Sequence, residues 1–470
     1  MIENPVSQRY QSMLSIAAAL LFCGLIGAAW LGVSHPVVAL VFGMLPFVIY
    51  GVFKYPFIMV LGFVLFSFFR IHEAYPQLYS FRIPQLLALA SLASLAWHLV
   101  ITRKMQIYWS NELSWLLGFF ALCMLGVLVA SNRGVAMAYF NGVFSKIALM
   151  TFAIAWLMRR PQDFLQAGFS FVLAGTAVAS VALQNSAAGL EMVEGTRVTI
   201  GRSFGSTLGD PNDLALVLLF PLGFAVSFLL NRSSRLKQWV GLAATVMLVA
   251  AILATQSRGG LLGILTVSAV FAWNRIENKV MLISLAGLAA PILFVVAGVS
   301  ERASGGAAES GIDESAMGRI YAWEAAIKMA FHHPLTGVGL DNFYANYYFY
   351  SAHWDGKNHA VHSTWFGILA ETGFLGIAVF SVMLVKVVKT AWNNLADFRA
   401  INEPSADVRH MALVAEASLS GLLGTIVSGT FLTQGFTWPF YIFTALIVAI
   451  SQYAKTQHQT ALLQNANKPI

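Results

Sequence analysis

The sequence predicts an all-α, polytopic integral membrane protein, and three observations carry that prediction. Of its 470 residues 58% are hydrophobic and 10% are charged, whereas a soluble domain carries about 25% charged residues. Mean hydropathy is +0.70, and the apolar residues fall in runs near the roughly 20 residues that a helix needs to cross a bilayer. Lys and Arg, finally, are distributed unevenly over the segments between those runs, as the positive-inside rule requires.

In chain order the runs are 12–33, 37–53, 56–70, 83–101, 113–131, 139–158, 163–184, 212–230, 238–255, 259–273, 279–299, 363–388, 410–430 and 436–452. The shortest are 56–70 and 259–273, so the expectation is about 12–14 spans in one transmembrane domain covering 1–470. With an inner N-terminus, Arg9, Lys54, Arg103, Lys104, Arg159, Arg160, Arg232, Arg235, Lys237, Arg275, Lys279, Lys386, Lys389, Arg399, Arg409, Lys455 and Lys468 lie inside. The formal charge of +7 follows largely from that bias, and no nucleic-acid partner is needed to explain it. The first apolar run is long enough to stay as a span, so no cleaved leader is expected. Cys23 and Cys123, the two cysteines, both lie in spans, which excludes a disulfide framework or a cysteine-based metal site.

Three segments lack a span: 183–211 and 300–362, both external in this threading, and 389–409, read as a solvated inner linker. Within 300–362, Glu301–Asp313 is rich in Gly, Ala and Ser and is expected to be flexible. In Glu314–Phe331 the residues Met317, Ile320, Trp323, Ile327 and Phe331 recur every three or four positions, the stripe of a helix lying on the membrane. His333-Pro334, Gly337 and Gly339 then break the helix, and the chain returns to the membrane at His362 as a lid over a site.

The basic residues on the outer side carry the functional argument. Arg258, in Gln256-Ser257-Arg258-Gly259-Gly260, sits between two spans, where a guanidinium is costly and usually marks a substrate path. Arg202 follows Gly201 and precedes Gly209-Asp210-Pro211-Asn212-Asp213, where a helix opens; glycines admit a ligand to the backbone, a helix N-terminus favours anions, and arginine's planar fork suits phosphate oxygens. Arg197 is the competing choice for the same role, and all three also read as interfacial arginines that snorkel. Asp210, Pro211 and Asp213 read as a helix start rather than a metal site. Arg319 lies on the polar side of the amphipathic segment. His362 titrates near neutrality and suits proton abstraction from a hydroxyl. His359, three residues earlier, shares its face, but two ligands without a third make a poor metal site. His332 and His333 read as helix-end residues interacting with the dipole.

Taken in order, these segments resemble the O-antigen ligase and O-antigen polymerase superfamily of bacterial inner-membrane glycosyltransferases. Gly201-Arg202 with Gly209-Asp210-Pro211-Asn212-Asp213, then Gln256-Ser257-Arg258-Gly259-Gly260, resemble its two arginine motifs. Gly318-Arg319, Trp323, His333-Pro334-Leu335-Thr336-Gly337-Val338-Gly339 and Asn342-Phe343 look like its periplasmic loop. His362-Ser363 through Glu371-Thr372-Gly373 looks like its histidine motif. The spacing from Arg202 to Asn212 is about one residue longer than the common pattern, which leaves the choice between Arg202 and Arg197 open.

The resemblance implies a multi-pass inner-membrane enzyme with its site facing the periplasm. Its donor would be a glycan on undecaprenyl pyrophosphate and its acceptor a lipid or glycan hydroxyl. Arg202 and Arg258 would hold the pyrophosphate without a metal or cofactor, and His362 would activate the acceptor. Arg197, Arg319 and His359 would add substrate contacts, and spans 212–230 and 259–273 would border a lipid-facing groove for the polyprenyl tail. A ligase acting on lipid A-core is favoured over a polymerase or a protein O-oligosaccharyltransferase by the moderate, compact outer loop. A transporter or flippase is the reading from another class; it calls for related halves and charges deep in several spans, where Lys146 is one of few candidates.

Overall fold

The computed structural model describes residues 36–231, 234–273, 275–297, 314–401 and 404–466, with a few positions between 20 and 31. Run 12–33 lies largely outside the described residues, and Glu301–Asp313 entirely so. The chain is helical almost throughout, because a backbone in hydrocarbon must satisfy its own hydrogen bonds and helices do so within one segment. Side-chain oxygens of Ser110, Asn132, Asp210, Ser234, Asn278, Ser363 and Ser405 cap helix starts. Each accepts from one of the first N–H groups, which the helix leaves unpaired.

Among the described residues eight helices are long and apolar enough to cross a membrane: Ile83–Ile101, Asn111–Val129, Arg133–Leu157, Pro161–Ala188, Pro211–Leu229, Arg235–Ala254, Thr364–Arg399 and Ala406–Gly429. Arg258–Trp273 and Lys279–Leu293 are shorter apolar helices. The all-α polytopic expectation holds, but runs 259–273 and 279–299 form only the two shorter helices, run 436–452 lies in Trp438–Ala466, which is not among the eight, and two further runs are joined. Runs 37–53 and 56–70 form helices Pro36–Lys54 and Pro56–Ser67, and Gly43–Lys54 meets Pro56–Ser67 at a 96° bend. Together they are long and apolar enough for one bent span, which brings the count among the described residues to nine. The cause is local: Pro56 has no N–H and disfavours helical geometry at Tyr55, which sits at φ −125°, ψ 60°.

Run 363–388 is also displaced. Helix Thr364–Arg399 is broken at Gly373, whose φ of 69° and ψ of −171° are non-helical. The Trp365 and Phe380 rings lie 6.2 Å apart, although 15 residues of straight helix would separate them by about 22 Å. Thr364–Thr372 therefore folds back on the outer face, and the crossing segment is 374–399. The linker expected from 389 is accordingly helical as far as Arg399.

Pro211–Leu229 and Ala406–Gly429 form the centre of the bundle, 78% and 72% buried over their apolar windows. Helices approach closely here through small residues: a side chain at Gly223 would strike the Ala417 carbonyl, and one at Gly263 would strike Leu219. Phe69, Phe171, Phe220, Phe224 and Phe443 fill the space between. Burial of Pro211–Leu229 overturns the expectation that 212–230 borders a lipid-facing groove. Ile83–Ile101, only 17% buried, and Arg235–Ala254, 28% buried, carry the apolar periphery instead.

The two ends of the bundle differ in chemistry. At the end assigned inside, Arg275 donates to both oxygens of Glu416 at 2.6 and 3.0 Å, and Arg399 donates to the same carboxylate at 2.9 Å. This clamp ties three helices together. At the other end lie the loops that carry the candidate residues.

Candidate active site at the outer end

The first outer loop is a two-stranded hairpin, Met192–Val193 against Arg197–Val198, with Glu191, Glu194 and Gly195 in left-handed conformation. It delivers Arg197 to a buried position, 4% exposed. There Arg197 Nε donates to the Thr255 carbonyl at 3.1 Å and Nη2 to Asn212 Oδ1 at 2.9 Å, while Glu194 lies 3.6 Å from Nη1. Arg197 thus pins three outer segments together: the hairpin, the turn before Arg258 and the start of helix Pro211–Leu229. A second tie runs from Thr196 Oγ1 to Gln256 Oε1, 2.9 Å.

Arg202 is placed otherwise. Its backbone N–H donates to Glu191 Oε2 at 2.8 Å and its Nη1 to the Gly209 carbonyl at 3.3 Å, and its side chain is exposed. The two arginines that the sequence leaves as alternatives therefore divide into one committed to internal bonds and one presented to the outside. Arg258 is the first residue of helix Arg258–Trp273 and is exposed. Ser257 Oγ accepts from Gly260 N–H at 3.1 Å, closing the helix start directly beneath it. Gly259 and Gly260 are packing residues here: a side chain at the first would meet Ser428, and one at the second Ala215 and Ile252.

His362 precedes the Ser363 cap and is half-buried in left-handed backbone, φ 44°, a conformation that costs a non-glycine residue about 1–2 kcal/mol. Two contacts fix it there. Trp323 Nε1 donates to the Val361 carbonyl at 3.0 Å while its ring stacks on Phe366, 5.0 Å between centroids. On the other side Thr364 Oγ1 donates to the Leu432 carbonyl at 2.8 Å and accepts from Gln434 N–H at 3.2 Å. Gln434 Nε2 in turn donates to Asp213 Oδ1 at 2.6 Å. Hydrogen bonds and chain neighbours thus link the turn before Arg258, through Arg197, Asn212, Asp213, Gln434 and Thr364, to the segment that carries His362.

The electrostatics of His362 come from the same neighbours. Burial is the main cause holding its pKa below the usual histidine value; the positive charge of Arg319 adds to it, Asp210 opposes it, and His359 lowers it further. At neutral pH the imidazole is therefore uncharged, the form that accepts a proton. Arg319, half-buried on helix Glu314–His332, acts on the histidine as a fixed cation. Asp210 has a second task, accepting from the N–H groups of Asn212 and Asp213 at 2.7 and 3.2 Å as the helix cap.

His359 is turned to Asp355, with Nε2 2.8 Å from Oδ2, and packs edge-on against Tyr347 at 5.3 Å. It shares an electrostatic neighbourhood with His362 but is held by its own partner. Among the described residues no group of three or more His, Cys, Asp or Glu is placed to hold a metal ion. His332 Nδ1 lies 2.8 Å from the Lys328 carbonyl at its helix end, and His333 Nε2 lies 3.2 Å from the Tyr350 hydroxyl.

Segment 333–343 docks into the break at Gly373. Val338 N–H bonds the Ala370 carbonyl at 2.8 Å, Gly339 N–H the Glu371 carbonyl at 3.2 Å, and Phe374 N–H the Pro334 carbonyl at 2.8 Å. The Glu371 carboxylate accepts from the N–H groups of Asp341 and Phe343 at 2.9 and 3.2 Å. The predicted amphipathic helix forms over Glu314–His332 and packs through Ala322, Ala325, Ala326 and Met329, while Ile320, Ile327 and Phe331 stay exposed. The apolar stripe read from the sequence is therefore split: Trp323 packs inward on Phe366, while Ile320 and Ile327 face outward.

Sequence reasoning missed three participants: Gln434, the influence of Asp210 on His362, and Glu371 as the anchor of the outer loop. Their partners lie far off in sequence, 221 residues for Gln434 and Asp213, and a lone glutamine near a span end carries no signal. Glu371 had one: a carboxylate within an apolar run.

The fold is that of a multi-pass helical membrane protein, and its loops at one end carry Arg197, Arg202, Arg258 and a half-buried His362 on which Arg319 acts electrostatically. Residues 242–381 match the family model described as O-antigen ligase. The match is to the family that the order of the motifs resembles, over that segment of the chain. The match includes Arg258, Arg319, His359, His362 and Glu371, and it begins after Arg197 and Arg202. No curated protein matches the chain.

Proposed function

We propose that this protein transfers a glycan from undecaprenyl pyrophosphate to an acceptor hydroxyl on lipid A-core, at the periplasmic face of the bacterial inner membrane. One observation supports the reading: the turn that precedes Arg258 and the segment that carries His362 are both tied to the start of helix Pro211–Leu229, through Arg197 with Asn212 and through Gln434 with Asp213, and Arg319 lowers the pKa of His362. The anomeric C–O bond to the diphosphate breaks as negative charge grows on the leaving group. Arg258 and the exposed Arg202 stabilise that charge through fixed forks, with no metal required. His362 takes the proton of the attacking hydroxyl. The hydroxyl oxygen forms the new bond opposite the departing diphosphate, so the anomeric configuration inverts.

Arg197 supports the reading as a positioning residue, since its donors are engaged by Thr255 and Asn212. The test is incubation of purified protein with a lipid-linked oligosaccharide and, in turn, lipid A-core, a second lipid-linked repeat, and a serine- or threonine-bearing peptide. Glycosylated lipid A-core is the expected product. Chain extension alone would make the protein a polymerase, glycopeptide alone a protein O-oligosaccharyltransferase, and no transfer to any acceptor would end the enzyme reading.

A further inference from the structure

A second cationic site lies outside the group just described. The outer turn between Pro56–Ser67 and Ile83–Ala96 borders an open cavity of about 660 Å³ lined by Arg70, His72, Glu73, Tyr79, Arg82 and Gln85, with Ser80 and Pro84. None of Arg197, Arg202, Arg258, Arg319 or His362 lines it. Arg70 and Arg82 bracket the turn, and both have left-handed backbone, φ 53° and 49°. Such strain persists where the surroundings enforce it, and it concentrates at ligand sites.

One wall is built rigidly. Glu73 accepts from Arg70 Nη1 at 2.8 Å and from Ser206 Oγ at 2.6 Å, while Arg70 Nη2 donates to Thr207 Oγ1 at 2.7 Å. Tyr79 stacks on His72, 5.9 Å and 19° between ring planes, and packs against Phe204 at 5.7 Å. Glu73 is the one carboxylate of the lining; its side chain is 7% exposed and already engaged by Arg70 and Ser206. A guanidinium has five N–H donors, of which Arg70 uses two in these bonds. Arg82 is exposed and forms no ion pair among the described residues. It also heads the 14-residue helix Ile83–Ala96 with no side-chain cap, so the helix start adds positive potential.

We propose that this cavity binds a phosphate group, borne by a saccharide or by a lipid headgroup, at the outer face. Donors from two separate guanidinium forks, a hydroxyl pair and an amide suit a tetrahedral oxyanion with several terminal oxygens. A carboxylate has only two oxygens and would be satisfied by one fork. The 201–209 loop, which carries Arg202, backs this lining through Ser206 on Glu73, Thr207 on Arg70 and Phe204 on Tyr79, so a phosphate held here would lie beside the proposed donor site and be separate from it.

The test reads binding without transfer and therefore stands apart from the glycosyltransferase reading. Thermal unfolding of the full-length protein in neutral detergent is followed with glucose 6-phosphate and with glucose as probes. Glucose 6-phosphate is expected to raise Tm and glucose to leave it unchanged. Arg82→Gln, an exposed substitution whose ligand-free Tm checks folding, is expected to weaken the phosphosugar response at least about tenfold, and Arg82→Lys to retain part of it. Equal responses to the two probes, or an unaltered response in Arg82→Gln, would overturn the site. So would loss of the response in Arg258→Gln with Arg82→Gln intact, which would move the phosphate to the other arginines. Repeating the titration in nanodiscs separates the sources: competition by phosphatidylglycerol, absent with phosphatidylcholine, supports the site with a headgroup as its natural occupant. No competition supports it with a phosphosugar.

Discussion

His362 combines a strained backbone, partial burial and a neighbouring cation, and each has a measurable consequence. Burial, helped by Arg319, holds its pKa below the ordinary value of about 6.5. If it is the base, the acid limb of kcat/KM against pH has its midpoint below that value. Arg319→Gln moves the midpoint up by removing a charge that disfavours the imidazolium, and Asp210→Asn moves it down by removing one that favours it. Shifts of the same sign, or none, would count against this assignment. The linkage to stability has one direction: because the folded pKa is the lower one, the histidine's contribution is complete above about pH 6.5 and is lost as pH falls through the folded value. His362→Ala is expected to lower turnover by about 10²–10⁴-fold while undecaprenyl pyrophosphate still binds; parental turnover would remove it as the base. Arg258→Lys keeps the charge but loses the fork, and its kcat is expected to fall roughly 10²-fold, measured in the same transfer assay.

At the scale of elements, the outer loop is held by a broken helix. The break at Gly373 leaves the carbonyls of Ala370 and Glu371 without helical partners, and Val338 and Gly339 supply the missing N–H groups. Glycine is required at 337, where φ is 62° and a side chain would fall on the Ala370 carbonyl. Glu371→Ala strands two backbone donors, those of Asp341 and Phe343, at an expected cost of about 1–3 kcal/mol. The loop should open before the bundle does, so limited proteolysis within 333–362 should quicken several-fold while the global Tm changes little. Unaltered cleavage would mean that the loop is anchored elsewhere. Because segment 361–364 packs on this loop through Trp323, the same variant is expected to lower activity without touching His362.

Across the whole molecule the two ends differ, with a charge clamp at one and the candidate residues at the other. Glu416 is 2% exposed and takes three hydrogen bonds from Arg275 and Arg399. Both arginines remain more than a third exposed, so solvent offsets part of the loss when their partner is removed. Glu416→Ala is expected to cost about 1–3 kcal/mol, read as a lowered Tm in detergent with kcat of the folded fraction unchanged. The arrangement of the ends is tested separately by single cysteines, with Cys23 and Cys123 replaced. Lys357→Cys should react with an impermeant thiol reagent from outside intact cells, and Glu277→Cys only after permeabilisation. Labelling of both from one side would break the threading.

Composition and charge asymmetry by themselves determined the helical membrane architecture, since apolar length and Lys/Arg bias are local properties of the chain that the bilayer reads directly. Motif order likewise singled out Arg258 and His362 as candidates, and both fall within the matched segment. The tertiary structure decided what depends on partners distant in sequence: that Pro211–Leu229 is the buried centre, that Arg197 is a tie while Arg202 is presented outward, that the crossing begins after Gly373, and that Gln434 and Glu371 anchor the segments on either side of His362. Hydropathy cannot tell a helix facing lipid from one facing other helices, because both environments are apolar. A hydrogen bond spanning hundreds of residues leaves no periodicity for a single sequence to show.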